Sequence, residues 1–161
     1  MNLILDINNF DIYNLQFSES KNNIIIDGSF TKTYYSTENY ILNGIFLIFD
    51  IKPTEINKIV YYNEYNNSDR NDKYIIYFEL NENMELFQNI IDVEKKILEY
   101  YKNYKNCNKI PDYILKHHIM NKNLKYYKNI NGDMNKFYLK ISGIWENYNH
   151  FGITYKIVEC S

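Results

Sequence analysis

Phe137-Tyr138-Leu139-Lys140-Ile141-Ser142-Gly143-Ile144-Trp145 runs through the polar link Glu146-Asn147-Tyr148-Asn149-His150 into Phe151-Gly152-Ile153-Thr154-Tyr155-Lys156-Ile157-Val158. Both flanks alternate apolar with polar residues and are rich in Ile, Tyr, Thr and Phe, the pattern of half-buried strands. The pair therefore reads as a β-hairpin. Phe137, Leu139, Ile141 and Gly143 fall on one face of its first strand, and Tyr138, Lys140 and Ser142 on the other. In the second strand Phe151, Ile153, Tyr155 and Ile157 share a face opposite Thr154 and Lys156.

Working outward, the period changes. Met84, Phe87, Ile90, Ile91, Ile97, Leu98, Tyr101 and Tyr104 recur at helical spacing and predict an amphipathic helix from Met84 to Tyr104. Asn83 stands at its N-cap, Glu85 in its first turn, and Lys102 and Lys105 in its last, where the helix dipole favours cations. Asp92 and Lys96 are spaced for an i,i+4 pair, and Asp92 and Glu94 are expected on a solvated face.

Before the helix, Leu3 to Phe17, Phe30 to Tyr35, Tyr40 to Ile51, Lys58 to Tyr62 and Tyr74 to Leu80 read as β segments. Gly44 marks a bulge or a close approach. Asn63 to Lys73 and Asn121 to Asn135, which ends in the turn Asn131-Gly132-Asp133, read as loops. Tyr113 to Met120 fits a short helix or strand. The expectation is a mainly β chain: one OB-like Greek-key barrel over residues 1–161, with one amphipathic helix before the last hairpin.

The 161 residues include 26 Asn, 25 Ile, 17 Lys and 18 Tyr, no Ala and one Arg. The four favoured residues have AT-only codons, so this composition reports an AT-rich genome before it reports a function. An apolar fraction of 45% provides for a packed core. The longest apolar run, Ile41 to Ile51, contains Asn43 and Asp50 and is too short to span a membrane. The start, Met1 to Asp6, lacks a basic region and does not read as a signal peptide. Cys107 and Cys160 do not make a disulfide framework, so an intracellular, reduced protein is expected.

Net charge is −2, but from Lys102 to Lys140 nine lysines meet only Asp112 and Asp133. Tyr104, Tyr113, Tyr126, Tyr127, Phe137 and Tyr138 are interleaved with them. Lysines that track phosphates and rings that stack on bases are what a single-strand groove requires. A solvated, lysine-rich connector explains the same stretch equally well.

The closing hairpin, a strand ending in Trp145, a polar loop, Gly152 and a last strand, resembles the C-terminal end of the OB core in certain single-stranded-DNA-binding proteins. These belong to tailed phages and nucleocytoplasmic large DNA viruses. The resemblance covers about 25 residues; the helix, with Phe87, Ile90, Ile91 and Glu94, is compatible with it. It implies an OB fold and a single-stranded DNA ligand in viral replication, recombination or repair, within the host cytoplasm or nucleus. Replication proteins would be further partners. The family's acidic tail has no counterpart in Glu159-Cys160-Ser161, which argues against recruitment through such a tail.

OB folds bind on the outer face of strands 2 and 3, between two loops, one of which would be Glu146 to His150 here. The candidate contacts are Lys32, Tyr34, Lys125, Tyr126, Lys128, Lys136, Tyr138, Lys140, Trp145, Tyr148 and Lys156, with DNA and RNA equally open. Trp145 flanks a hairpin and reads equally as core. Tyr126 and Tyr127 are adjacent, so in a strand one packs and the other faces out. No phosphate-binding glycine loop, nucleophile elbow or zinc-ligand spacing occurs, and neither enzyme activity nor a cofactor is expected. The competing reading is a β-rich viral module that binds a host or viral protein through its tyrosines.

Overall fold

The computed structural model of the chain describes residues 4–25, 27–59, 73–128 and 135–160. Its strands, in chain order, are β1 (Leu5–Asp6), β2 (Leu15–Phe17), β3 (Lys21–Asn23), β4 (Gly28–Ser36), β5 (Ile41–Leu42), β6 (Ile45–Asp50), β7 (Glu55–Lys58), β8 (Lys73–Tyr77), β9 (Ile110–Asp112), β10 (Asn123–Tyr127), β11 (Lys136–Glu146) and β12 (His150–Glu159). The helices are α1 (Met84–Lys105) and α2 (Ile114–Met120). The fold is mainly β, with one long helix before the final hairpin. The sheet runs β1-β6-β11-β12-β10-β8-β7, and among the described residues its ends do not pair, so it curls without closing.

β11 and β12 form the predicted hairpin and are central strands. Each changes its outside neighbour along its length. β11 pairs with β6 from Lys136 to Ile141 and with β4 from Gly143 to Glu146. β12 pairs with β9 from His150 to Gly152 and with β10 at Val158, both parallel. The exchange on β11 occurs at a bulge. Ile141 faces Tyr155 and Gly143 faces Thr154, leaving Ser142 as the extra residue.

The bulge corrects the alternation read from the sequence. Phe137, Leu139 and Ile141 point into the core, but the face then shifts by one, so Ile144 is buried there and Gly143 lies on the outer side with Thr154. Two groups fix the exchange point. Thr33 Oγ1 donates to the Ile141 carbonyl at 3.3 Å. Gly44 has φ +106°, and a Cβ there would stand 2.8 Å from the same carbonyl oxygen. That positive φ breaks the long Tyr40 to Ile51 segment into β5 and β6.

Helix α1 covers the inner face. Phe87, Ile90, Val93, Ile97, Leu98 and Tyr101 are buried against Leu47, Ile76, Leu139, Ile153 and Ile157, and Phe78 meets Phe87 at a ring separation of 4.3 Å. Burying each such side chain stabilises by about 1.5–3 kcal/mol. The helix ends at Asn106, which adopts the left-handed conformation (φ 50°) and donates to Lys102 and Asn103 carbonyls. Asn83 stands at the start without capping it. Its amide instead joins the Lys52 backbone and the Glu79 carbonyl, tying the end of β6 to the segment after β8. Asp92 accepts from Gln88 rather than pairing with Lys96.

Glu94 is the chief correction on α1. It is 0% exposed, and its carboxylate accepts from Leu115 N at 2.9 Å and Lys116 N at 3.0 Å. It thereby satisfies the free N–H groups that begin α2. Burial holds its pKa above the ordinary carboxyl value, against the lowering by those two hydrogen bonds. The Tyr113 to Met120 segment is thus a helix, seated on a carboxylate from another helix. The strand expected over Lys58 to Tyr62 begins earlier, as β7 covers Glu55–Lys58, and positions 60–62 lie outside the described residues. Of the expected loop Asn63 to Lys73, Lys73 opens β8 and the rest lies outside the described residues, as does the turn Asn131-Gly132-Asp133.

Glu94→Ala is expected to lower stability by about 1–3 kcal/mol in urea unfolding, because two buried donors lose their acceptor. Glu94→Gln keeps an acceptor and should lose less. A carboxyl whose folded pKa is raised adds stability as pH falls through that value. The margin of wild type over Glu94→Gln should therefore widen on mild acidification, and an unchanged margin would contradict a carboxyl whose pKa is raised by burial.

Candidate nucleic-acid interface

The face of the sheet turned away from α1 is built by the same alternation that builds the core. On β11 the outward residues are Lys136, Tyr138 and Lys140, then, past the bulge, Gly143 and Trp145. Lys140 stands directly opposite Phe46 on β6 and Lys156 on β12. The cross-strand row is therefore Phe46, Lys140, Lys156; Tyr127 on β10 stands opposite Val158, two residues along β12 from Lys156, with Lys73 on β8 as its other partner.

These residues touch. Lys140 Nζ lies 5.1 Å from the centre of the Phe46 ring. Lys156 Nζ lies 4.0 Å from that of Tyr127, and Lys73 Nζ lies 5.5 Å from the same ring. Such cation–π contacts are worth about 0.5–1 kcal/mol at exposed sites. They hold the ammonium groups low over the sheet. Tyr138 packs beside Phe46 at 6.2 Å between centres, and burial pushes its phenol above the ordinary value.

The face continues onto β4, where Phe30, Lys32 and Tyr34 point outward in register with Trp145 and Gly143. Two glycines make room for rings. A Cβ on Gly152 would lie 2.9–3.0 Å from the Trp145 indole, and one on Gly143 would lie 2.4 Å from the Phe30 ring. Trp145 thus lies over Gly152 and Phe30 over Gly143, each on a neighbouring strand. Lys32 Nζ is 5.8 Å from the Tyr34 ring centre.

Most of the predicted residues share this face. Lys32, Tyr34, Lys125, Tyr138, Lys140, Trp145 and Lys156 are on it, and Trp145 is not core. Tyr126 is a correction. It is 2% exposed, its ring packs on Tyr74 and Phe137, and burial pushes its phenol up to about 12. Tyr127 takes the outward place instead. Lys128 is also displaced, since its ammonium sits 5.3 Å from the Tyr74 ring, on the core side of β8. Lys136 is at the end of the face, in an open groove shared with Asp6, Asp50 and Glu85, which offset its charge. Tyr148 is 90% exposed at the β11–β12 loop.

The basic stretch of the sequence does not assemble as a unit. Lys109 is bound to Glu146 at 2.8 Å and Lys122 to Glu79 at 2.8 Å. The outward lysines come from five strands: Lys32, Lys73, Lys125, Lys140 and Lys156. Glu146 is held by Lys109 and by the Tyr101 hydroxyl, which also meets Thr31. Burial pushes the Glu146 carboxyl up, but Lys109 and Tyr101 together outweigh it and hold the group below its ordinary value. This network sits under the face and fixes the end of β11.

Phe30, Phe46 and Lys73 were missed. Phe46 lies in Ile45-Phe46-Leu47-Ile48-Phe49, which is apolar at every position and hides the face each residue takes. The paired glycines Gly143 and Gly152 were the available signal for the overlying rings. Among the described residues, no three His, Cys, Asp or Glu side chains gather to hold a metal ion, and no helix is long and apolar enough to cross a membrane. No family model, curated protein or solved structure matches the chain at a significant level.

Gly152→Ala is expected to lift the Trp145 indole off the sheet and move its emission to longer wavelength, cleanly read because the chain has one Trp. The loss of stability should stay within about 1–3 kcal/mol, since the far end of a side chain gives way rather than backbone. An unmoved emission maximum would place the indole elsewhere.

Proposed function

We propose that the chain is a non-enzymatic single-stranded nucleic-acid-binding protein that lays its ligand across the outer face of the sheet. The observation that carries this reading is the opposed pair Lys140 and Lys156 on the outer face, each lying over a ring, Phe46 for one and Tyr127 for the other. A strand crossing it meets cations for its phosphates and, in Tyr127, Tyr138 and Trp145, π-faces for its bases. The lysines that lie over Tyr127 move to the phosphates as a base takes their place on the ring. The hairpin's resemblance to viral OB-fold DNA-binding proteins supports the same ligand and favours DNA, in replication, recombination or repair inside the host cell.

Labelled oligo-dT, titrated at low and physiological salt beside duplex DNA of equal length, tests the reading. Tighter binding to the single strand is expected, with log affinity falling linearly in log salt. Lys140→Glu combined with Lys156→Glu should abolish binding and leave folding intact; unchanged binding would sink the assignment. Tyr127→Ala should weaken binding by about 1–3 kcal/mol with little effect on stability. Tyr126→Ala should do the reverse and cost about 3 kcal/mol of stability or more, as large-to-small core changes do.

A further inference from the structure

One end of the proposed face carries apolar residues that the fold leaves bare. Ile24 and Ile25, at the turn between β3 and β4, are fully exposed, Tyr148 is 90% exposed and Ile110 60% exposed. They belong to one rim. Ser29 on β4 is paired with Glu146 at the end of β11, and Gly28 approaches so closely that a Cβ would stand 1.9 Å from the Glu146 carbonyl oxygen. Ile110 N donates to the Asn149 carbonyl at 2.9 Å. The turn and the loop are each shaped by an asparagine. Asn23 Oδ1 accepts from Ile25 N at 3.1 Å, and Asn147 Oδ1 accepts from Asn149 N at 3.0 Å and His150 N at 2.7 Å. Ile25 and the loop that carries Tyr148 are thus each held by a side-chain-to-backbone hydrogen bond.

The rim is continuous with the ring-bearing face, because Phe30 lies on the same strand as the turn and Trp145 stands opposite it. Among the described residues the turn carries no cation, and Lys109, next to Ile110, is bound to Glu146. Asp27 is the charged residue at the turn, and Lys21 stands back on β3 opposite Phe30. An apolar tip with an acid beside it fits the faces of bases and disfavours their phosphates. We propose that this rim is a wedge that stacks on the terminal base pair where a single strand emerges from a duplex, so that the preferred ligand is a single-strand–duplex junction. Aliphatic side chains placed against base steps act in this way in proteins that unstack DNA. The inference rests on the single-strand reading above.

The test compares three probes with the intact protein: oligo-dT, a DNA hairpin with a dT overhang of the same length, and that hairpin with 2-aminopurine in its terminal pair. The overhang probe is expected to bind about tenfold tighter than oligo-dT, a difference of about 1.4 kcal/mol, with a rise in 2-aminopurine emission. Ile24→Ser with Ile25→Ser, both on exposed turn positions, should bring the overhang probe to the oligo-dT level and leave oligo-dT affinity unchanged. If oligo-dT binds and the overhang adds nothing, or if the double variant keeps the difference, the wedge is overturned and the single-strand reading stands. If no probe binds, both fall. Concentration-dependent self-association in sedimentation that the double variant abolishes, with no junction preference, would assign the rim to a second copy of the chain instead.

Discussion

The structure depends on one backbone event, the change of partner along β11 at Ser142. A strand that pairs with β6 over half its length and β4 over the rest cannot lie in a flat sheet. The extra residue turns the strand, and Gly44 and Thr33 converge on the Ile141 carbonyl where the turn is made. The curl brings β4, β6, β11 and β12 around one core, and α1 fills it. The same event reverses which residues face out, and so puts Trp145 on the outer face and Ile144 in the core.

The outer face follows from that arrangement and from four small choices of residue. Gly143 and Gly152 carry no side chain and therefore accept the rings of Phe30 and Trp145 from adjacent strands. Lys140 and Lys156 are directly opposed, which would cost energy through like-charge repulsion if they pointed at each other. Each instead leans on a ring, Phe46 for one and Tyr127 for the other. Beneath, Glu146 and Tyr101 are locked with Lys109 and Thr31, so the end of the hairpin that carries Trp145 and Tyr148 has a fixed base.

The candidate site was legible where period two held. Lys140 and Lys156 follow from alternation, and so does the division between Tyr126 and Tyr127, although not which of the two turns outward. It was illegible where the chain is apolar on both faces, as at Phe46, and where lysines that cluster along the sequence diverge in space. Lys109 and Lys122 belong to the basic stretch but are spent in ion pairs, while Lys32, Lys73 and Lys156 come from outside it. Glu94 shows a third kind of failure. Its place four after Ile90 and three before Ile97 put it on the buried stripe of α1, but a lone carboxylate there makes sense only once the start of α2 is seen to need an acceptor.

By itself the sequence determined the local elements: the closing hairpin, the long amphipathic helix, the β-rich character and the alternation that separates core from face. These are set by short-range periodicity and residue shape, which act over a few positions. Tertiary structure decided the rest: the partner exchange at Ser142, the burial of Glu94 and Tyr126, and the gathering of lysines and rings from distant strands onto one surface. The physical reason is that pairing register and ion-pair choice depend on which segments meet, and no stretch of sequence contains that information alone.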